Sequence, residues 1–106
     1  MLLRHATLAK NLPGILRAGL LTSKSQGKLP AVWFTCPSAA GWAVLHVVKR
    51  HGGRVKSVVI LEVDVPRCWL RRSARKRLWC SLRDIPPDRI RRVFTFQEMA
   101  GASADA

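Results

Sequence analysis

Two short stretches of this chain carry the side chains best suited to chemistry. The first holds His5 and Thr7, an imidazole and a hydroxyl two residues apart, in a short apolar segment near the N-terminus. The second is Val32-Trp33-Phe34-Thr35, followed by Ser38. Aromatic faces bind flat rings, and a hydroxyl at the start of a helix suits a phosphate-bearing ligand. Taken alone, His5 is better explained as a satisfied strand histidine and Trp33 as a core residue, so a functional interpretation depends on the surrounding pattern.

A third stretch, residues 67 to 92, holds ten of the nineteen basic residues. Cations interleaved with an aromatic side chain suit single-stranded nucleic acid, through phosphate contact and base stacking. The alternative is a solvated run of charge whose tryptophan anchors a loop to the core. The tract consists of Arg67, Trp69, Arg71, Arg72, Arg75, Lys76 and Arg77, and Arg89, Arg91 and Arg92 extend it if they share its face.

The overall charge supports the same partner. The 106 residues carry a net charge of +13, which attracts polyanions, with nucleic acid ahead of acidic membrane surfaces and acidic proteins. A solubilising shell or an arginine-rich genome would give the same excess. Hydrophobic residues make up 48% of the chain, enough for a core, so a wholly disordered basic tail is excluded. We expect one domain over residues 1–100 and a loose tail over 101–106.

The cysteines and the apolar segments exclude several other classes of protein. Cys36, Cys68 and Cys80 are odd in number and form no CxxC pair, so we predict neither a metal site nor a disulfide framework. A reducing, cytoplasmic location fits this pattern best. Arg4 interrupts the N-terminal apolar run too early for a signal peptide. No apolar stretch is long enough to cross a membrane.

The spacing of apolar residues predicts an α+β domain. One helix begins near Asn11 and stops at Gly19; a second runs from Ser38 to about Arg50, with Trp42 assigned to the core. The closing strands have no crossover helices between them, which disfavours a parallel, doubly wound sheet. Strands are predicted over residues 2–6, 31–35, 56–65, 78–82 and 90–96.

Three segments, taken together, resemble the ADP-ribosyltransferase superfamily. Leu3-Arg4-His5-Ala6-Thr7, followed by Asn11-Leu12 and Ile15-Leu16-Arg17-Ala18-Gly19-Leu20, is similar to the family opening, in which a strand with His-x-Ser/Thr precedes a helix that ends in Gly-Leu. Val32-Trp33-Phe34-Thr35, with Ser38 and the alanines after it, resembles the second strand and helix. Trp79 to Ile90 resembles the late strand that runs into an Ile-Pro turn. The match spans roughly residues 2 to 96.

The resemblance implies a fold, a co-substrate and a site. The fold is a split, mixed or antiparallel sheet with two short helices, and the co-substrate is NAD. His5 would hydrogen-bond a ribose hydroxyl, Thr7 would support the site, and Trp33 would stack on the nicotinamide in place of the usual Tyr. The remaining cofactor-binding positions implied by the family pattern are Phe34, Thr35 and Ser38.

One family feature is missing from this sequence. Many members place a catalytic Glu on the strand before the Ile-Pro turn, and that position falls at Trp79, in a strand without a carboxylate. Loss of a general base typically costs about 10²–10⁴ in rate. The RNA 2′-phosphotransferases have a hydrophobic residue there, because their nucleophile is the phosphate of the substrate. We therefore expect an NAD-using transferase acting on a nucleic-acid phosphate or base, either phosphotransferase-like or ADP-ribosylating. The alternative is a non-catalytic nucleic-acid-binding module on the same fold.

Overall fold

A computed structural model describes residues 1–25, 29–73 and 78–98. Within these residues the strands form one six-stranded sheet in the order β4-β5-β2-β1-β3-β6, and every neighbouring pair is antiparallel. The predicted α+β class is confirmed, with an antiparallel sheet. The elements are β1 (Leu2–Leu8), α1 (Leu12–Ala18), β2 (Val32–Thr35), α2 (Ala40–His51), β3 (Val58–Asp64), β4 (Leu70–Arg72), β5 (Leu78–Ser81) and β6 (Ile90–Thr95).

Strand β3 is the centre of one half of the sheet and is buried on both faces. Its Val- and Ile-rich run suits a pleated surface that packs on both sides. Ile60 and Leu61 are both 0% exposed and point to opposite faces. Leu61 belongs to a core cluster with Leu3 and Phe34, and Ile60 to a second cluster with Val44 of α2. The sheet therefore separates two apolar layers.

The two halves of the sheet meet at a narrow junction between β1 and β2. Strand β1 pairs with β3 along its whole length, from Leu2 to Leu8, whereas its register with β2 contains the single pair Arg4 and Thr35. Beyond this pair the C-terminal half of β1 and the N-terminal half of β2 separate. The open space between two strands of one sheet provides a place for a ligand.

Helix α1 ends where the chain must turn sharply against a neighbouring loop. Asn11 is the N-cap residue and Pro13 lies in the first turn, as the sequence predicted. Gly19 closes the helix with φ of 86°, a value that favours glycine. Leu20 and Ile85 then exchange backbone hydrogen bonds of 2.9 and 2.8 Å, which fix the helix end to the β5–β6 loop.

Helix α2 packs on the sheet through a different face from the one predicted. Ala40 and Val44 are buried, and Val47 and Val48 pack against the second core cluster. Trp42, assigned to the core from the sequence, is 46% exposed, so that assignment was wrong. The helix begins after a 3-10 turn over Pro37–Ala39, and its N-cap residue is Ala39 rather than Ser38.

The remaining differences concern short elements. Strand β4 lies in the basic stretch that we interpreted as a loop or helical turn. A 3-10 turn over Val55–Ser57 delays the start of β3. The predicted positions Arg75, Lys76 and Arg77, and the tail over 101–106, lie outside the described residues. Among the residues described, no helix has the length and apolarity needed to span a membrane.

Candidate functional site

A cleft of about 740 Å³ opens where β1 and β2 separate. Its walls come from both strands and from helices α1 and α2. This volume falls in the range of about 300–1,000 Å³ that is typical of sites for small ligands and cofactors. His5, Thr7, Trp33, Phe34 and Thr35, all predicted as cofactor-binding residues, line the cleft.

His5 lies at the junction of the two strands and is held in one tautomer. Its Nδ1 is 2.6 Å from the backbone carbonyl oxygen of Trp33. Because a carbonyl can only accept a hydrogen bond, Nδ1 carries the proton and donates it. Burial lowers the pKa of His5, and the bond to Trp33 opposes this effect only in part. The ring is therefore neutral near pH 7, and its Nε2 has a lone pair that can accept a hydrogen bond from a hydroxyl.

The aromatic side chains of β2 leave the strand on opposite faces. The register of Arg4 with Thr35 sets His5 beside Phe34, and the two rings meet edge to face with centroids 5.8 Å apart. Alternation along the strand then directs Trp33 to the other face, where its side chain is 37% exposed. Both Trp33 and His5 line the cleft, although their rings lie on opposite faces of the sheet.

Helix α2 contributes an aromatic pair that the sequence reasoning missed. Trp42 and His46, one helical turn apart, stack with centroids 5.3 Å apart and ring planes inclined by 16°. Both side chains are exposed and line the cleft. The signal was present in the sequence, because the four-residue spacing places both rings on one side of the helix. We had assigned Trp42 to the core instead.

The cleft is cationic. Its lining includes five basic side chains and, among the residues described, no acidic one. Such a cleft suits an anionic ligand, since clefts lined with charge of one sign concentrate the field. The basic residues are Arg4, Lys10, Arg17, Lys24 and Arg50.

The two carboxylates of β3 form ion pairs and do not line the cleft. Glu62 pairs with Arg4 at 3.6 Å. Asp64 pairs with the N-terminal ammonium at 3.2 Å and with Arg91 at 3.4 Å. Hydrogen bonds to these two partners lower the pKa of Asp64, and the bond to the ammonium has the larger effect. Neither carboxylate lines the cleft.

Two predicted site residues lie elsewhere. On β5 the cleft-lining residue is Leu78, whereas Trp79 packs against the first core cluster with the Arg72 guanidinium 5.2 Å from its ring centroid. We expected residue 79 of this strand to face the cleft, but residue 78 does. The two side chains point to opposite faces because side chains alternate along a strand. Ser38 is exposed in its 3-10 turn, caps neither helical segment and is not part of the cleft lining.

The basic tract forms a separate surface. Arg67, Arg71 and Arg72 are exposed, and Trp69 is half-buried against the first core cluster. The guanidinium carbons of Arg83 and Arg89 lie 4.1 and 5.5 Å from the centroid of the Trp69 ring. This corrects the interpretation of Trp69 as a free surface for stacking bases.

No protein-family model matches this chain, and no curated protein matches it in sequence. All three cysteines are free thiols. In the described ranges, no three His, Cys, Asp or Glu side chains lie together as a potential metal site.

Proposed function

We propose that this chain is an NAD-using transferase of the ADP-ribosyltransferase type that acts on a phosphate or base of nucleic acid. The observation that carries the proposal is the cationic cleft at the β1–β2 junction, into which a neutral His5 and several aromatic rings project. Strands β1 and β2 are paired only at Arg4 and Thr35, so the sheet is divided at this point. A split sheet is the arrangement that the family resemblance implies.

The lining residues suit the chemical groups of a dinucleotide. The lone pair on Nε2 of His5 accepts a hydrogen bond from a ribose hydroxyl, which fixes the sugar at the junction. An indole provides a flat surface for the nicotinamide ring, either Trp33 on β2 or Trp42 on α2. Lys10, Arg17 and Lys24 lie in the same cleft and neutralise phosphate charge.

The shortage of carboxylates in the cleft favours a substrate that needs no general base. A phosphate is already anionic near pH 7, so its oxygen can attack the ribose carbon that bears nicotinamide without giving up a proton. The carbon–nitrogen bond breaks as the carbon–oxygen bond forms, and nicotinamide leaves with the bonding electrons. The protein's contribution is to position the reactants and to balance charge.

The second candidate is a non-catalytic nucleic-acid-binding module. The observation in its favour is the same shortage of acidic side chains, since Leu78 occupies the β5 position that faces the cleft. In this alternative the cationic cleft holds a nucleic-acid segment, and NAD has no part in it.

Thermal unfolding with millimolar NAD separates the two candidates. If NAD binds in the cleft, it raises the Tm of the wild type by mass action. His5→Ala removes the ribose contact and abolishes this rise. Trp33→Ala and Trp42→Ala identify the stacking surface, since loss of a stacked ring costs about 1–3 kcal/mol of binding free energy.

Leu45→Ala is the matched control, because Leu45 is 60% exposed on α2 and is not part of the cleft lining. This variant should keep the full response to NAD. An absent response in the wild type, or an equal response in the wild type and His5→Ala, rejects the transferase and leaves the binding module.

A further inference from the structure

Trp69 holds two arginines from one loop against the body of the domain. It lies in a 3-10 turn between β3 and β4, and its indole packs on the first core cluster. Arg83 and Arg89 both come from the β5–β6 loop, and their guanidinium carbons lie within about 6 Å of the indole centroid, the range of a cation–π contact. We call these two residues the Trp69 arginine pair.

The backbone beneath each arginine is also fixed. Ser81 is 0% exposed; its hydroxyl donates a 2.8 Å hydrogen bond to the Arg83 carbonyl and accepts one from the Arg83 amide at 3.2 Å. Arg89 ends a 3-10 turn that begins at Pro87, and its amide bonds the carbonyl of Pro86 at 3.1 Å. Both guanidinium groups therefore start from rigid positions, which reduces the entropy that a ligand must remove.

No carboxylate in the described parts of the chain neutralises this pair. Neither arginine has an acidic oxygen within 4.0 Å there. Asp84, the acidic residue next to Arg83, accepts hydrogen bonds from the amide and hydroxyl of Thr22 at 2.8 and 2.9 Å. The carboxylate of Asp84 therefore faces Thr22. Its hydrogen bonds to Thr22 lower the pKa of Asp84, and the bond from the backbone amide has the larger effect. Asp88, in the same loop, forms no ion pair with either arginine.

From this arrangement we infer that the Trp69 arginine pair is a second contact for nucleic acid, outside the cleft, which grips the phosphate backbone and does not read bases. A guanidinium stacked on an indole still presents its N–H edge, which matches phosphate oxygens in a two-pronged contact. The indole is already occupied by these cations and by the core, so it does not stack on a base.

The surrounding charge favours nucleic acid over other anions as the occupant. Arg67 precedes Trp69 in the same turn and is exposed, and Arg71 and Arg72 are exposed on β4. The chain has a net charge of +13 and several separate cationic positions. This distribution is complementary to nucleic acid, which carries one phosphate charge at every nucleotide. The inference rests on the nucleic-acid partner of the proposed function but uses none of the cleft residues.

The test measures binding of fluorescent oligothymidylate, oligoadenylate and an abasic oligomer of equal length across a range of salt concentrations. For Arg83→Gln/Arg89→Gln we expect about tenfold weaker binding near 0.15 M salt and a salt slope smaller by about 1.4, as loss of two single-strand phosphate contacts predicts. The double variant should weaken binding of all three oligomers by the same factor, within about threefold, because phosphate contacts do not depend on the base.

Lys49→Gln/Arg54→Gln is the matched control, since both residues are exposed and lie outside the cleft and the arginine pair. It also removes two charges, but its salt slope should fall by less than half of the decrease expected for Arg83→Gln/Arg89→Gln. Equal losses in the two double variants, or an affinity for the abasic oligomer that Arg83→Gln/Arg89→Gln does not change, would overturn the inference. Preferential binding of phosphatidylserine vesicles over all three oligomers would do the same.

The readout is separate from that of the proposed function. Arg83→Gln/Arg89→Gln leaves the cleft intact, so its thermal response to NAD should equal that of the wild type. If NAD gives no response in any protein while the backbone binding behaves as expected, the transferase fails and the second contact stands.

Discussion

His5 is a partly buried titratable side chain, and its effect on stability depends on pH. Burial lowers the pKa of His5 in the folded chain below the ordinary value of 6.5. The unfolded chain therefore binds a proton more readily than the folded chain between these two values. Above about pH 6.5 both states are neutral and the effect is absent. As pH falls below this value, His5 progressively lowers the free energy of unfolding, until pH reaches the folded pKa.

His5→Gln removes this dependence, because an amide does not titrate in this range and can still donate to the Trp33 carbonyl. We expect the wild type to lose stability relative to the variant as pH falls below about 6.5. Chemical denaturation at several pH values measures the difference. The variant keeps His46 and His51, so the two proteins differ only at residue 5. Parallel curves for the two proteins would show that His5 is not desolvated.

The positions of individual residues were predictable only in part, and their roles stay predictions. The sequence placed His5 and Trp33 at a common groove; both line the cleft, but their rings leave the sheet on opposite faces. It did not reveal that Trp33 meets His5 through a backbone carbonyl, because that contact depends on the register of β1 with β2. Trp42 was assigned to the core as part of the apolar face of the predicted helix, whereas the smaller Ala40 and Val44 lie against the sheet.

At the scale of elements, the docking of α1 against the β5–β6 loop gives a sharp prediction. A Cβ on Gly19 would collide with the backbone oxygen of Ile85, and φ of 86° adds strain for any other residue. A residue forced into a sparsely populated backbone region costs about 1–3 kcal/mol, before the collision is counted. We expect Gly19→Ala to lower the free energy of unfolding by at least about 2 kcal/mol, measured by chemical denaturation.

Gly14→Ala is the matched control for this prediction. Gly14 lies inside α1, and an added Cβ there would have no atom within 4 Å. Alanine is the better helix former, so this variant should gain about 0.5–1 kcal/mol. Opposite signs for the two substitutions are the expected result. A neutral Gly19→Ala would mean that the helix end is not held against Ile85.

The strands that the sequence predicted well are those whose pattern agrees with their surroundings. The Val- and Ile-rich β3 is buried on both faces, and its apolar run predicted a buried strand. Strand β4 was missed because Leu70-Arg71-Arg72 has one apolar residue and lies on an edge, where pairing with β5 rather than burial makes it a strand. Local composition could not indicate that partner.

For the whole molecule, we expect the net charge of +13 to make stability and the proposed nucleic-acid binding respond to salt in opposite directions. Like charges repel one another in the folded chain, and salt screens them. Between about 0.1 M and 1 M the screening length falls from about 10 Å to about 3 Å. We therefore expect NaCl to raise the Tm of the free protein, by about 4–8 °C for each kcal/mol of repulsion relieved. Over the same range, contacts to phosphate weaken.

Charge reversal away from both proposed sites tests whether repulsion is the cause. Lys49→Glu/Arg54→Glu lowers the net charge to +9 and should raise the Tm at low salt and reduce its further rise with NaCl. Lys49→Arg/Arg54→Lys exchanges the same side chains at constant charge and should follow the wild type. Scanning calorimetry across the salt series measures all three proteins. Removing four units of charge must weaken any effect that scales with the net charge. If the Tm of the charge-reversed protein still rises with NaCl as much as that of the wild type, screening of self-repulsion is not the cause of the rise.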